Sequence, residues 1–265
     1  MKNLKEKLEY YYKYFNQSKI ESDPVQFPHR FSEPEDIEVM AFISSIFAYG
    51  KIDQILSTLE EFLAISENQP YEFILNFNKK IKLKLHHRFY STDDIKNSFA
   101  ILKIILIKHK SVKNLFLSGY SEKHSNVKQA ISVFSKNILR LYEEHSLVIN
   151  HAVKFMFPLP EKGSACKRMN LFLRWMVRKD KIDFGLWQEI EKKKLIIPVD
   201  THIAKISKQL KLTNRNNVSW KMAEEITDSL KRFNENDPVK YDFSLCHLGI
   251  NKMEFSLKND YRIRN

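Results

Sequence analysis

The sequence has little cysteine, little glycine and no long apolar run. Its 265 residues include two cysteines, five glycines and eight prolines, with 43% hydrophobic residues. Two thiols cannot supply the four thiolates of an iron–sulfur cluster, so no such cluster is expected. Two thiols also fit a reducing compartment better than a disulfide scaffold. Few glycines and prolines among many apolar residues favour long helices joined by short loops.

Targeting and membrane signals are also missing. The N-terminal Met1–Lys7 has no uninterrupted apolar core of the kind that a signal peptide needs. The most apolar stretch, Phe99–Ile107, is short and is broken by Lys103, so no membrane span is expected. We therefore expect a cytoplasmic protein without a membrane partner.

Basic residues exceed acidic ones. Lys and Arg number 44 against 32 Asp and Glu, a formal charge of +12. An excess of this size favours a polyanionic partner such as nucleic acid or an anionic membrane. The alternative is a Lys-rich, solvated surface with no partner.

The apolar periodicity predicts helices throughout, and therefore an all-α fold. Ser32–Glu35 has the form of a capping box with a proline in the first turn, and Ser91–Asp94 also forms a helix start. Trp187 and Trp220 occupy helix-like positions and are expected in the core. Predicted helices cover residues 2–15, 34–47, 52–63, 70–77, 92–106, 126–142 and 167–178.

Two segments remain open between a functional and a structural interpretation. His29 and Arg30 lie in a loop with two prolines, where anchoring is favoured over function. Residues 79–88 alternate basic and apolar side chains and are either a phosphate-facing edge or a solvated linker. The adjacent His86 and His87 lack the neighbours that a metal site needs, so no metal is expected.

Asp200 follows the apolar run Leu195–Val199 and precedes the helical spacing of Ile203, Ile206 and Leu210. The simplest interpretation is an N-cap, in which the carboxylate accepts from free N–H groups of the first turn. On the same helix Lys205, Lys208 and Lys211 are spaced three apart. They either bind phosphate or solvate the outer surface.

A second segment, Pro160–Leu173, begins with a glycine turn in which Ser164 is expected to cap the next helix. A helical wheel of residues 167–178 predicts one apolar face and one cationic face. The cationic arc carries Lys167, Asn170, Leu171, Arg174 and Arg178.

A third segment, Tyr241–Gly249, follows. In this order the three segments resemble the helix-hairpin-helix DNA glycosylases, the superfamily of endonuclease III, in which a Leu-Pro-Gly-Val-Gly-x-Lys-Thr-Ala-Asn hairpin precedes a Val-Asp-Thr-His segment. Gly163, Lys167 and Asn170 match the hairpin, and Val199–His202 matches the aspartate segment. The whole chain also resembles a bacterial family of unknown function, about this long, related to those glycosylases.

The resemblance implies a catalytic pair. Lys167 would attack the sugar C1′ of a flipped nucleotide, and Asp200 would stabilise the positive charge that develops on the sugar. Attack needs a neutral amine, so burial with Arg168 and Arg174 nearby is expected to lower the pKa of Lys167. A DNA phosphate would lie at the hairpin, although Ala165 replaces its second glycine. The implied DNA contacts are Lys162, Gly163, Ser164, Arg168, Asn170 and Arg174.

The resemblance also implies a base pocket and a wedge. Asp200 follows Lys167 by 33 positions, and the interval includes a charged, helical-looking segment, Arg178–Lys194, similar to the archaeal 8-oxoguanine glycosylases. By that similarity the base-pocket residues would be Leu171 and Asp242. Asp242 is alternatively a carboxylate at the start of a helix. Tyr49, in the turn Ala48–Lys51, is the candidate wedge or simply fills the turn.

Together these observations predict an all-α, two-lobed glycosylase-like fold with a central cleft. The single unit 1–265 would comprise one lobe of residues 51–178, including the hairpin, and another of 1–50 plus 179–265. The expected function is a monomeric DNA glycosylase with possible AP-lyase activity on double-stranded DNA, removing a damaged base such as an oxidised purine, without a cofactor. The alternative is a non-catalytic helical nucleic-acid-binding module on the same scaffold.

Overall fold

The protein is described by a computed structural model over residues 2–15 and 17–250. Helices dominate it, no β-strand occurs in these two ranges, and the predicted all-α class is confirmed. Short 3-10 turns and two isolated β-bridges supply the remaining regular structure. The α-helices are α1 (Lys2–Tyr14), α2 (Pro34–Phe47), α3 (Ile52–Ile65), α4 (Pro70–Leu75), α5 (Thr92–His109), α6 (Val112–Leu117), α7 (Lys128–Glu144), α8 (His151–Met156), α9 (Lys167–Val177), α10 (Thr201–Gln209), α11 (Trp220–Lys231) and α12 (Asp242–Ile250).

Helix α2 lies at the centre of the fold. It is mainly apolar, and every residue from 37 to 47 is buried, so it must be covered on all sides. It packs against α9, α4 and the 3-10 turn Pro28–Arg30. Pro34 begins the helix as predicted, but the capping box does not form. The N-cap is Glu33, without a side-chain bond, one residue later than the box requires.

The predicted loop before α2 consists of two 3-10 turns, Pro24–Gln26 and Pro28–Arg30. His29 Nε2 lies 2.7 Å from the carbonyl oxygen of Ile182. The Arg30 guanidinium donates to both carboxylate oxygens of Glu60, at 2.8 and 2.6 Å. Both residues therefore anchor the loop, as the structural interpretation expected.

Residues 178–194 are not the helix that their composition suggested. After α9 ends, the chain runs back along it, and Phe184 and Trp187 donate backbone N–H bonds to Trp175 and Met176 at 2.8 Å each. The regular structure in this segment is a bridge between Lys179 and Phe184 and a short 3-10 turn, Lys192–Lys194. Tertiary packing against α9 overrides helix propensity here.

The predicted division into two lobes at residues 50 and 178 stays a prediction. Helix α2, from one side of that division, packs directly on α9 from the other. Residues 1, 16 and 251–265 of the predicted lobes lie outside the described residues. Trp187 and Trp220 are each 1% exposed, as expected for core residues. Within the described chain, no helix is long and apolar enough to cross a membrane.

Glu38 is a buried carboxylate on α2 that joins three segments. It accepts from the backbone N–H groups of Val112 and Lys113, at 2.8 and 3.2 Å, and from Trp187 Nε1 at 2.9 Å. Burial raises its pKa, while these donors act in the opposite direction. The side chain thus holds the start of α6 and the returning segment against α2.

Glu38→Ala should lower the free energy of unfolding by roughly 3 kcal/mol or more, because three buried donors lose their acceptor. Urea unfolding followed by circular dichroism measures this change. Glu61→Ala, at an exposed position of α3, is the matched control and should stay within about 0.5 kcal/mol of the parent. Equal stability of the two variants would contradict this role for Glu38.

Candidate functional site

The hairpin before α9 forms a compact turn. Pro160–Lys162 makes one 3-10 turn, and Gly163 follows with a φ of +88°, in the left-handed region that glycine tolerates. Cys166 is also left-handed, with a φ of +47°, and occupies the N-cap position of α9. The carbonyl oxygen of Gly163 accepts from the N–H of Trp220 at 3.0 Å, which fastens the hairpin to the start of α11.

Ser164 does not cap α9, contrary to the sequence prediction. The left-handed turn at Cys166 delays the helix, so the Ser164 hydroxyl accepts from the N–H of Cys166 at 3.2 Å. Asn170 is buried, and its side-chain amide donates to the carbonyl oxygen of Ala165 at 3.0 Å. Asn170 therefore braces the hairpin from inside, whereas Lys162 and Gly163 face solvent.

Asp200 caps α10, and this part of the prediction is confirmed. Its Oδ1 accepts from the N–H groups of His202 and Ile203, at 2.9 and 3.0 Å. Its other oxygen, Oδ2, lies 2.8 Å from Nζ of Lys167. Capping and ion pairing therefore use different oxygens of one carboxylate.

The Lys167–Asp200 pair joins two helix N-termini. Lys167 is the first residue of α9, and Asp200 is the N-cap of α10. Their side chains are 34% and 20% exposed, so the pair can be reached from solvent. The structure thus brings together the two residues that the sequence predicted as a catalytic pair.

The expected depression of the Lys167 pKa does not occur. Desolvation is the largest influence and opposes the ammonium charge, but the attraction of Asp200 and weaker attraction from other acidic neighbours outweigh it. The pKa of Lys167 is therefore raised. Desolvation also disfavours the charged form of Asp200, but Lys167 and the hydrogen bonding at the cap outweigh it. The pKa of Asp200 is therefore below its usual range. At neutral pH both groups are charged.

Arg168 was expected to contact DNA, but its guanidinium is buried inside the protein. It donates to the hydroxyl of Tyr90 and to the carbonyl oxygen of Phe155, and it lies 4.0 Å from the centre of the Phe155 ring. Arg168 is 8% exposed. Its role in this structure is to fix α9 to the segments around Tyr90 and Phe155.

The helical wheel is also wrong for Arg174 and Arg178, which are 3% and 4% exposed. Arg174 donates to Asp183 and Asp242, and Arg178 to Asp180, Asp183 and Asp237. Burial acts against both charges, yet these carboxylates raise the pKa of each arginine. We call these six residues the arginine–aspartate network. The carboxylates occupy both guanidinium groups, so Arg174 is not available to a DNA phosphate here.

Of the two predicted pocket residues, Leu171 is half-buried against the core and Asp242 is 3% exposed. Asp242 is the first residue of α12, as its alternative interpretation expected. Burial raises the pKa of Asp242 to about 6, while Arg174 acts in the opposite direction. Within the described residues its Oδ1 has no hydrogen-bond partner. Its base-pocket role stays a prediction.

Tyr49 is half-buried in an aromatic cluster with Phe89 and Phe155, whose ring centres lie 5.8 and 4.7 Å away. The Arg88 guanidinium covers the Tyr49 ring at 4.6 Å. Phe89 is the more exposed ring, at 41%, and sequence reasoning missed it. The sequence signal for Phe89 was its position directly after Arg88, at the end of the basic segment 79–88.

The turn that carries Arg88 and Phe89 is rigidly held. Arg88 has a φ of +54°, and His87 exchanges backbone hydrogen bonds with Tyr90 at 3.1 and 2.8 Å. Both ring nitrogens of His87 are engaged, by the Thr58 hydroxyl and the Tyr49 carbonyl oxygen, at 2.9 Å each. Burial lowers the pKa of His87. His87 therefore supports the turn, and Arg168 links it to α9 through Tyr90.

The chain belongs to a defined family. The family model described as "Protein of unknown function (DUF2400)" matches residues 23–251. The match includes the hairpin, Lys167, Asp200 and the arginine–aspartate network. No curated protein and no solved structure matches the chain.

The ion pair predicts a measurable coupling. Asp200→Asn keeps an oxygen that can cap α10 but removes the charge that raises the pKa of Lys167. Burial then dominates and favours the neutral amine, so that pKa should fall below about 10.4. NMR titration of ¹³C-lysine-labelled protein, assigned with Lys167→Gln, measures it.

The control for this titration is Glu161→Gln, which removes the carboxylate of another ion pair, with Lys136 at 2.6 Å. That variant should leave the Lys167 titration unchanged. An unchanged pKa in Asp200→Asn would show that the two groups are not coupled in solution.

Proposed function

We propose that this member of the DUF2400 family is a DNA glycosylase with AP-lyase activity, using Lys167 as nucleophile and Asp200 as its electrostatic partner. The observation that carries the proposal is the contact of 2.8 Å between Lys167 Nζ and Asp200 Oδ2 at a partly exposed position. The substrate class that we propose is double-stranded DNA with a damaged base, such as an oxidised purine.

The surroundings of the pair support an anionic substrate. Two helix N-termini converge there, and each carries partial positive charge that favours anions. Lys162 and Gly163 are exposed in the adjoining hairpin. Arg88 and Phe89 directly precede Tyr90, to which Arg168 donates. The exposed ring of Phe89 and the Arg88 guanidinium offer the stacking and charge that bind unpaired bases.

The charged state of Lys167 sets the order of the proposed steps. As the bond between C1′ and the base breaks, the Lys167 ammonium gives one proton to the departing base, and Asp200 stabilises the cationic sugar. The neutral amine then forms a bond to C1′. Loss of a second nitrogen proton to the ring oxygen O4′ opens the sugar and leaves a protonated imine. A borohydride reduction of that imine would make the link permanent.

A binding module without catalysis is the second candidate. The observation that favours it is the raised pKa of Lys167, which keeps the amine protonated and non-nucleophilic until the proton is transferred. Ala165 in place of the second hairpin glycine also makes this hairpin less similar to that of the catalytic enzymes. Such a module would bind the same DNA and would use Lys167 as a phosphate contact.

Borohydride trapping on duplexes that carry abasic sites or oxidised purines separates the two candidates. The parent should form a covalent adduct, and Lys167→Gln should form none while retaining DNA binding, because it lacks the amine. Asp200→Asn should release base roughly 100-fold more slowly, the usual effect of losing one electrostatic contact to a transition state.

The matched control is Lys108→Gln, which removes the same charge from an exposed position of α5 and should trap like the parent. The enzyme proposal is overturned if the parent forms no adduct on any of these duplexes and releases no base. Normal base release by Asp200→Asn would remove Asp200 from the mechanism and leave it only as a cap.

A further inference from the structure

A groove runs along the exposed side of α10. It starts at Thr201, directly after Asp200, and passes Lys205 and Lys208 to the loop that precedes α11. An adjoining depression shares Asn216 with it and is lined by Asn214, Arg215 and Asn217 as well. We call the two together the α10 groove. Among the described residues that line it, none is acidic.

The cations of the groove are exposed and differ in their partners. Lys205 has no hydrogen-bond or ion-pair partner within the described ranges. Lys208 donates from Nζ to Oδ1 of Asn216 at 2.7 Å, which holds its ammonium over the groove. Arg215 contacts Glu225 through Nε at 2.7 Å, and its terminal nitrogens have no other acceptor in that part of the chain.

The loop that closes the groove is held in place before any ligand binds. The N–H of Asn214 donates to the Glu225 carboxylate at 3.0 Å, and the N–H of Arg215 donates to the Thr213 hydroxyl at 3.1 Å. Trp220, at the start of α11, donates its N–H to Gly163 of the hairpin at 3.0 Å. The groove is therefore connected to both elements that present Lys167 and Asp200.

We propose that the α10 groove binds the phosphodiester backbone of the nucleic-acid strand whose nucleotide reaches Lys167. This inference rests on the proposed function for the identity of the ligand. Ammonium groups and side-chain amides without carboxylates match consecutive phosphates, with the amides donating to phosphate or sugar oxygens. The one large apolar side chain among its lining residues is Val218, which is too little for insertion into a lipid surface.

The geometry gives the strand a direction. Lys205 and Lys208 are three residues apart on one helix, a rise of about 4.5 Å. Both follow Asp200 along α10, so a strand bound to them leaves the Lys167–Asp200 pair towards the loop 214–219. The hairpin and the α10 groove would then hold the backbone on two sides of the reacting nucleotide.

The test is the salt dependence of binding by Lys205→Gln/Lys208→Gln to a duplex with a tetrahydrofuran abasic analogue, measured by fluorescence anisotropy. Each lost phosphate contact lowers the slope of log affinity against log salt by about 0.9, so the double variant should lose roughly 1.8. Its melting temperature should stay unchanged, since both side chains are exposed.

The control is Lys5→Gln/Lys108→Gln, which removes the same charge from exposed positions on α1 and α5 and should leave the slope unchanged. Equal slopes for the two double variants overturn the groove proposal. So does a loss of binding to vesicles of anionic phospholipid that leaves DNA binding intact.

A failure of the enzyme proposal would give a different result from a failure of the groove proposal. In that case the parent gives no borohydride adduct, but the groove variant still changes the slope, and the surface stands as part of a binding module. Conversely, normal trapping with an unchanged slope would retain the enzyme and eliminate the groove.

Discussion

The buried arginine–aspartate network is the interaction on which the candidate site depends. Arg174 lies on α9 and Arg178 directly follows its last residue, while their carboxylate partners come from the segment after α9, from Asp237 and from the start of α12. Helix α12 packs against α10, which carries Asp200. Lys167 lies about 10 Å along α9 from Arg174, so the network sets the position of its helix relative to Asp200. Removing either arginine would leave buried carboxylates without their counter-charge, which typically costs 3–5 kcal/mol.

The burial of arginines also changes how the basic composition is interpreted. Arg168, Arg174 and Arg178 are all buried and bound to protein acceptors, so they contribute structure and not a surface for anions. The cations that remain outside are mainly lysines, including Lys162 in the hairpin and Lys205 on α10. Lysine suits a phosphate backbone as a mobile point charge, whereas the planar fork of arginine is better suited to fixed, buried carboxylates.

Asp200 combines two structural roles that are usually separate. Because Oδ1 caps α10, the carboxylate cannot rotate freely, and Oδ2 is held towards Lys167. The ion pair therefore costs little additional side-chain entropy on the aspartate side. Such a preorganised carboxylate is suited to stabilising positive charge that develops nearby, since it need not reorient during a reaction.

Local features were predictable from the sequence because their causes are local. The apolar spacing identified most of the helices, Asp200 was recognised as an N-cap, and Trp187 and Trp220 are buried as expected, although only Trp220 lies on a helix. The pairing of Lys167 with Asp200 was predicted only through resemblance, since they are 33 positions apart and periodicity carries no information over that distance.

Only the tertiary structure decided which charges are internal. A helical wheel treats Arg174 and Arg178 as solvent-facing, because it does not include Asp183, Asp237 and Asp242, which approach from other segments. The pKa of Lys167 was misjudged for the same reason: the two arginines expected beside it are bound to acceptors in other segments, and the attraction of Asp200 with its acidic neighbours outweighs desolvation. The sequence by itself determined most of the helices and the Asp200 cap, since backbone hydrogen bonding and apolar spacing act over a few residues. The charge state and exposure of the site depend on contacts between distant segments, and these are established only by the folded chain.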